Sequence, residues 1–267
     1  MHYNCINKEA VMMFKKLVFA GCLTLAAFSG NVYAKESYTV GAGGTYRPFE
    51  FENSQKQLEG FDIDIIKAIA EVEGFDVKLI NTPWEGIFAT LSSGDRDILI
   101  SGITITDKRK NMVDFSNPYF PAEQAIVISE SSNVTDLNSL KDLNVGVVNS
   151  STGDIVVSEV IGKNSTSIKR FDNTPLLLQE LFEDGIDAAV GDVGVIKFYI
   201  KTHPEKKFKL IYDNHFEKQY FGIAVAKGNS ELQQKINNGL NKIVENGTYN
   251  KIYQKWFDEN VPQLPKQ

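Results

Sequence analysis

The chain has 267 residues and a net charge of −6, from 28 basic against 34 acidic side chains, with 42% hydrophobic residues. Such a balance excludes intrinsic disorder, collagen-like repeats and coiled coils, and leaves a globular protein of one large or two modest domains. Basic residues form no run longer than three, which argues against nucleic acid. Three His (His2, His203, His215) and two Cys (Cys5, Cys22) are too few and scattered for a zinc site, so no metal or cofactor is expected.

At the amino-terminal end, the uncharged run from Leu17 to Gly30 follows Lys15-Lys16 and leads into Val32-Tyr33-Ala34. A short apolar run with basic residues before it and small residues after it reads as a cleavable secretory signal over residues 1–34. Phe19-Ala20-Gly21-Cys22 offers a lipoprotein anchor as the alternative, with Phe where Leu is usual. Met12 or Met13 is an alternative start. Without residues 1–34 the chain keeps 25 basic and 33 acidic side chains, a net charge of −8, and no cysteine. An exported chain of this kind relies on its core rather than on disulfides.

Beyond the leader, helical and strand-like periods alternate. Tyr38–Gly43 reads as a strand. Phe61, Ile65, Ile69 and Val72 share one helical face ending at Gly74, a left-handed cap candidate. Then come a strand at Val77–Leu79, a helix at Gly86–Ser93 and a strand at Ile98–Ser101. Strands at Ala125–Ser129 and Asn144–Val148 precede a helix at Ser151–Gly162 and a strand at Ser167–Phe171. Thr174 reads as the cap of a helix with Pro175 at its first position. A strand at Ala188–Val190, a helix at Asp192–Thr202, a strand at Ile223–Val225, a helix after Ser230 and another at Thr248–Phe257 complete the pattern. The alternation predicts an α/β fold in two halves with mostly parallel sheets.

Arg47-Pro48-Phe49-Glu50-Phe51, Gly60-Phe61-Asp62-Ile63-Asp64, Gly102-Ile103-Thr104-Ile105-Thr106-Asp107-Lys108-Arg109, Asp114-Phe115-Ser116 and Asn246-Gly247-Thr248-Tyr249 follow one another in a recognisable order. With their spacing they resemble the polar amino-acid-binding proteins of ABC importers (solute-binding protein family 3), and the resemblance covers the whole chain after the leader. It implies a two-lobed periplasmic-binding-protein fold (type II) with a two-strand hinge. Lobe 1 is discontinuous, residues 36–121 plus 219–267, and lobe 2 is residues 122–218. The expected partners are a free L-amino acid and an inner-membrane ABC permease, the expected site of action the periplasm, and the expected state a monomer.

An amino acid needs a cation for its carboxylate, an anion for its ammonium and a surface for its side chain. Arg109 follows Thr106, a helix-cap candidate, and its planar fork suits a carboxylate; the resemblance implies the same role. Thr152 and Gly153 start a helix whose free N–H groups add an anion site. Gly102 ends a strand, where a missing Cβ lets a ligand approach, and Thr104 offers a hydroxyl and an N–H. The resemblance places Asp192 against the ammonium and makes Tyr46 and Trp84 the aromatic walls. Gly43, Asn149 and Gly191 stand where glutamine-binding relatives carry an acid, a Lys and a His, and Glu85 suits a cationic side chain, so arginine is favoured with glutamine next. No catalytic Ser-His-Asp, Cys-His or paired-carboxylate pattern is readable, and no enzyme is expected. An amino-acid sensor and an enzyme similar to cyclohexadienyl dehydratase are the alternatives.

Overall fold

Residues 35–257 and 259–265 are described by the structure, a computed structural model. The expected signal segment and the anchor alternative at Cys22 lie outside these residues. In chain order the elements are β1 (Ser37–Ala42), β2 (Thr45–Tyr46), β3 (Glu50–Glu52), β4 (Leu58–Glu59), α1 (Phe61–Glu73), β5 (Asp76–Asn81), α2 (Ile87–Ser93), β6 (Ile98–Leu99), α3 (Asp107–Lys110), β7 (Val113–Phe115) and β8 (Phe120–Ala122). They continue with β9 (Gln124–Ser129), β10 (Val145–Val148), α4 (Thr152–Ile161), β11 (Ile168–Phe171), α5 (Thr174–Phe182), β12 (Ala188–Asp192), α6 (Val193–Thr202), β13 (Phe208–Ile211), β14 (Gln219–Phe221), β15 (Ala224–Ala226), α7 (Ser230–Glu245) and α8 (Thr248–Trp256).

Two five-stranded sheets result, in the orders β5-β1-β6-β15-β7 and β11-β10-β12-β9-β13. They are not mostly parallel. In the first, β1 runs parallel to β5 and β6, but β15 runs antiparallel to β6 and β7. In the second, β10 runs parallel to β11 and β12, but β9 runs antiparallel to β12 and β13. The reversed strands share an origin: β9 follows β8 and β15 follows β14. β8 and β14 pair antiparallel, Phe120 opposite Phe221, as the two-stranded ribbon between the sheets. Hydrophobicity alone sets how deep a strand lies, not which way it runs.

Each sheet is covered by helices. The apolar stripe of α1, with Phe61, Ile65, Ile66 and Ile69 fully buried, packs with Ile236, Leu240 and Ile243 of α7 against Val40 and Ile98 of the first sheet. Gly74 caps α1 in the left-handed conformation and donates its N–H to the Ala70 carbonyl. In the second sheet Ile126 and Ile128 face one core with Val145, Val147 and Val157, while Val127 faces the other with Leu177, Leu178 and Leu181. Ala125–Ile128 therefore reads as an unbroken apolar run because both faces are buried. Beside the ribbon, Phe49 meets Phe120 edge-on with centroids 4.8 Å apart, and Phe120 stacks on Phe221 at 5.8 Å.

Local sequence and structure differ at the start of α5. Asn173, not Thr174, caps α5: its side chain accepts from the Leu176 N–H at 3.0 Å. Asn173 holds the extended backbone a cap requires, which places Thr174 at the first helical position and Pro175 at the second.

Candidate ligand-binding cleft

Between the two sheets lies a cleft of about 370 Å³. Its walls are segments that leave the carboxyl ends of β1, β5, β6, β10, β11 and β12, the usual place for a ligand in an open α/β sheet. Seven of the eight residues singled out from the sequence line it: Tyr46, Trp84, Gly102, Thr104 and Arg109 from one side, Thr152 and Asp192 from the other. Gly153 does not. It packs behind Thr152, where a Cβ would sit 3.0 Å from the Val190 carbonyl oxygen and 3.2 Å from Gln124 Oε1.

Arg109 is only 6% exposed. Thr106 caps the short helix α3 by accepting the Arg109 N–H at 3.2 Å, and Arg109 Nη1 donates to the Thr104 carbonyl at 2.9 Å. Nη2 reaches the Ser150 carbonyl across the cleft at 3.5 Å, and the guanidinium lies 5.2 Å from the Trp84 ring centroid. Burial lowers its pKa to about 10, so it remains a cation at neutral pH. With five donors and two engaged, the fork keeps capacity for a carboxylate.

Asp192 stands at the N-cap of α6 but makes no side-chain cap bond. Its carboxylate instead accepts from the Tyr46 hydroxyl and from Gln124 Nε2. Burial raises its pKa to about 6, against the opposing pull of Tyr46, Arg109 and Gln124. The helix start thus presents an anion to the cleft rather than spending it on its own backbone. At the start of α4, Ser151 is the cap and accepts from the Asp154 N–H at 3.1 Å, while Asp154 pairs with Arg170 at 2.9 Å.

At Gly102 the structure corrects the reason for the glycine. The position has φ +52°, and a Cβ there would lie 2.6 Å from Tyr46 Cε1, so the aromatic ring rather than a ligand takes the space. The Gly102 N–H donates to Asp62 Oδ2 at 2.8 Å. Beside it, Ser101 Oγ donates to Glu50 Oε1 at 2.7 Å and accepts the Gly43 N–H at 3.0 Å. Glu50, Ser101, Asp172 and Leu177 line the cleft and Gln124 braces Asp192, none of them singled out as site residues from the sequence. Trp84 Nε1 donates to the Asn149 carbonyl at 3.0 Å, a third bond across the cleft beside Arg109–Ser150 and Tyr46–Asp192.

A buried guanidinium beside Trp84 and a half-buried carboxylate bonded to Tyr46, lining one cleft, match the needs of a small zwitterion. Residues 38–259 match the family model of bacterial extracellular solute-binding proteins, family 3. The chain belongs to this family. A "Probable histidine-binding protein" from Neisseria gonorrhoeae is 39% identical over 230 residues, 86% of each chain. An "L-arginine-binding protein" from Pseudomonas aeruginosa is 31% identical, over 92% of this chain and 98% of the relative. Among solved structures, the arginine-, lysine-, histidine-binding protein ArtJ of Geobacillus stearothermophilus superposes with a TM-score of 0.81. It has 37% identity, covering 85% of this chain and 97% of that one. These relatives are named as binding proteins rather than enzymes, and the family is extracytoplasmic.

Proposed function

We propose that this protein captures one free L-amino acid with a polar or cationic side chain and delivers it to an ABC permease of the inner membrane. Arginine is the first candidate and glutamine the next, with histidine added by the names of the relatives. Arg109 and the start of α4 at Thr152 hold the ligand carboxylate, Asp192 with the Gly102 carbonyl and Thr104 holds the ammonium, and Tyr46 and Trp84 flank the side chain. Residues 36–121 with 219–267 form one lobe and 122–218 the other, moving about the β8–β14 ribbon. Residues 1–34 direct export and are removed, and the mature protein acts as a periplasmic monomer. The observation that carries the reading is the placement of Arg109 and Asp192 on opposite walls of one cleft.

Thermal melting of ligand-stripped protein against the twenty L-amino acids and their D-forms tests it. Ligand at a hundred times its dissociation constant adds about 2.7 kcal/mol, which raises the melting point of a chain this size by roughly 5–10 °C. The expected result is a stereospecific shift with a cationic or polar L-amino acid. Arg109→Ala abolishes that shift while melting stays cooperative; undiminished affinity in this variant overturns the site assignment.

A further inference from the structure

Beneath the cleft floor two buried carboxyl groups meet without a cation between them. Glu50, the first residue of β3, lines the cleft yet is 1% exposed. Its Oε1 accepts from Ser101, and its Oε2 finds no donor. Beside it lies the carboxyl of Asp62 on α1: adjacent residues hold the two, Ser101 donating to Glu50 and the Gly102 N–H to Asp62. Asp62 is itself fully buried and already accepts from the Gly102 N–H and, at 2.9 Å, from the Tyr119 hydroxyl.

Two ionised carboxylates cannot sit side by side out of water, and one proton between them supplies the donor that Oε2 lacks. Burial first and the Asp62 charge second push the Glu50 carboxyl well above its usual range, and burial lifts Asp62 to about 6. The donors from Ser101, Gly102 and Tyr119 ease the pair, but among the described residues no element brings it a cation. Asp192 on β12 adds negative charge, Tyr46 on β2 and Tyr119 ahead of β8 are neutral phenols, and Ser101 contributes only a hydroxyl. Arg109, the one basic side chain lining the cleft among the described residues, acts on Asp192 and Tyr46.

Of the two acids, Glu50 stands on the cleft lining and Asp62 lies beneath it. A Cβ at Gly43 would sit 3.2 Å from Ser101 Oγ and 3.6 Å from Glu50 Oε1, so at this position no side chain stands between the Ser101–Glu50 group and the cleft. With Arg109 and Asp192 taken by the charges common to all amino acids, Glu50 is the buried acid left for a side chain. The other two acids on the lining, Glu85 and Asp172, are exposed.

We propose that Glu50 and Asp62 share one proton, and that a cationic ligand side chain reaching the floor at Gly43 and Ser101 displaces it to solvent. Capture of a cationic amino acid then releases one proton, and capture of an uncharged isostere releases none. In the exchange the Glu50 O–H bond breaks, the ionised carboxylate keeps the electron pair and pairs with the cation, and the proton leaves to buffer. Affinity for the cationic ligand accordingly rises by up to about tenfold per pH unit while the pair still holds its proton. The inference rests on the amino-acid reading of the cleft.

Isothermal titration of the purified protein at pH 7 in phosphate, HEPES and Tris counts the protons from the buffer dependence of the heat. L-arginine and L-citrulline are the probes, since citrulline replaces the guanidinium by an uncharged ureido group of the same shape. The expected result is about one proton released with arginine and none with citrulline. Arginine bound without proton release, as pairing with exposed Glu85 or Asp172 requires, overturns the inference and leaves the amino-acid reading standing. Binding of neither ligand overturns the inference and leaves the amino-acid reading to the melting series with the twenty L-amino acids. In Glu50→Gln the amide can donate to Asp62 in place of the proton, so the fold is kept; proton release is expected to disappear and the preference for arginine over citrulline to fall at least tenfold. An unchanged preference overturns the proposal. Should the variant not fold, the buffer series on the unaltered protein decides.

Discussion

A carboxylate whose pKa is raised to about 6 by burial works against folding at neutral pH, and Asp192 is held in that position. Its folded value lies above the value near 3.9 expected of an unfolded Asp, so between roughly pH 4 and pH 6 the folded state binds the extra proton. The stability this adds is present in acid, is lost as pH rises through about 6 and stays lost above it. Asp192→Asn removes the ionisation and keeps an acceptor for Tyr46 or Gln124. At pH 7.5 the ligand-free variant is expected to be more stable in urea, by at most about 3 kcal/mol. The gain should vanish at pH 4, and amino-acid binding should fall more than about a hundredfold because the ligand ammonium is left without its partner. A variant less stable at pH 7.5 contradicts the account. Arg109 was legible from the helix start that Thr106 marks, and Asp192 from the resemblance alone, since a helix-start Asp by itself reads as a cap. Gln124 was not, because it meets Asp192 only through the β9–β12 register, and Glu50 was not, because Ser101 lies 51 residues away along the chain.

Among the elements, α1 was readable from its repeating apolar face and from Gly74, and the structure ends the helix there. Strands β2, β3 and β4 are two or three residues long, too short to show a period of two, although they carry Tyr46 and Glu50. They are held against α1 at Gly60, where φ is +136° and a Cβ would lie 2.1 Å from the Phe49 carbonyl oxygen. No side chain fits there without separating β3 from the helix start. Gly60→Ala is therefore expected to cost more than about 3 kcal/mol, more than a backbone-compatible Gly→Ala change would. Urea titration reads this directly, and a loss below about 1 kcal/mol contradicts it.

For the molecule as a whole, three bonds cross the cleft, and on the proposed function they set how long a ligand stays. Trp84→Phe deletes the Nε1 donor, leaves the Asn149 carbonyl unpaired and keeps an aromatic ring near Arg109. One such bond contributes about 1 kcal/mol. Ligand dissociation is expected to quicken about fivefold in stopped-flow measurements with little change in association, since affinity differences between related complexes reside mostly in the off-rate. An unaltered dissociation rate means that this bond does not hold the two sides together. The two-lobed plan was legible from the ordered motifs, whereas strand direction was not, because β9 and β15 are as apolar as their parallel neighbours. The place of β15 reaches further. It fills the slot between β6 and β7, yet the chain builds the whole second sheet before supplying it. A chain halted at Ile211 holds all five strands of that second sheet and a first sheet in which β7 has nothing to pair with. During synthesis the later-starting core is thus the first able to close, and the amino-terminal one waits for its missing plank.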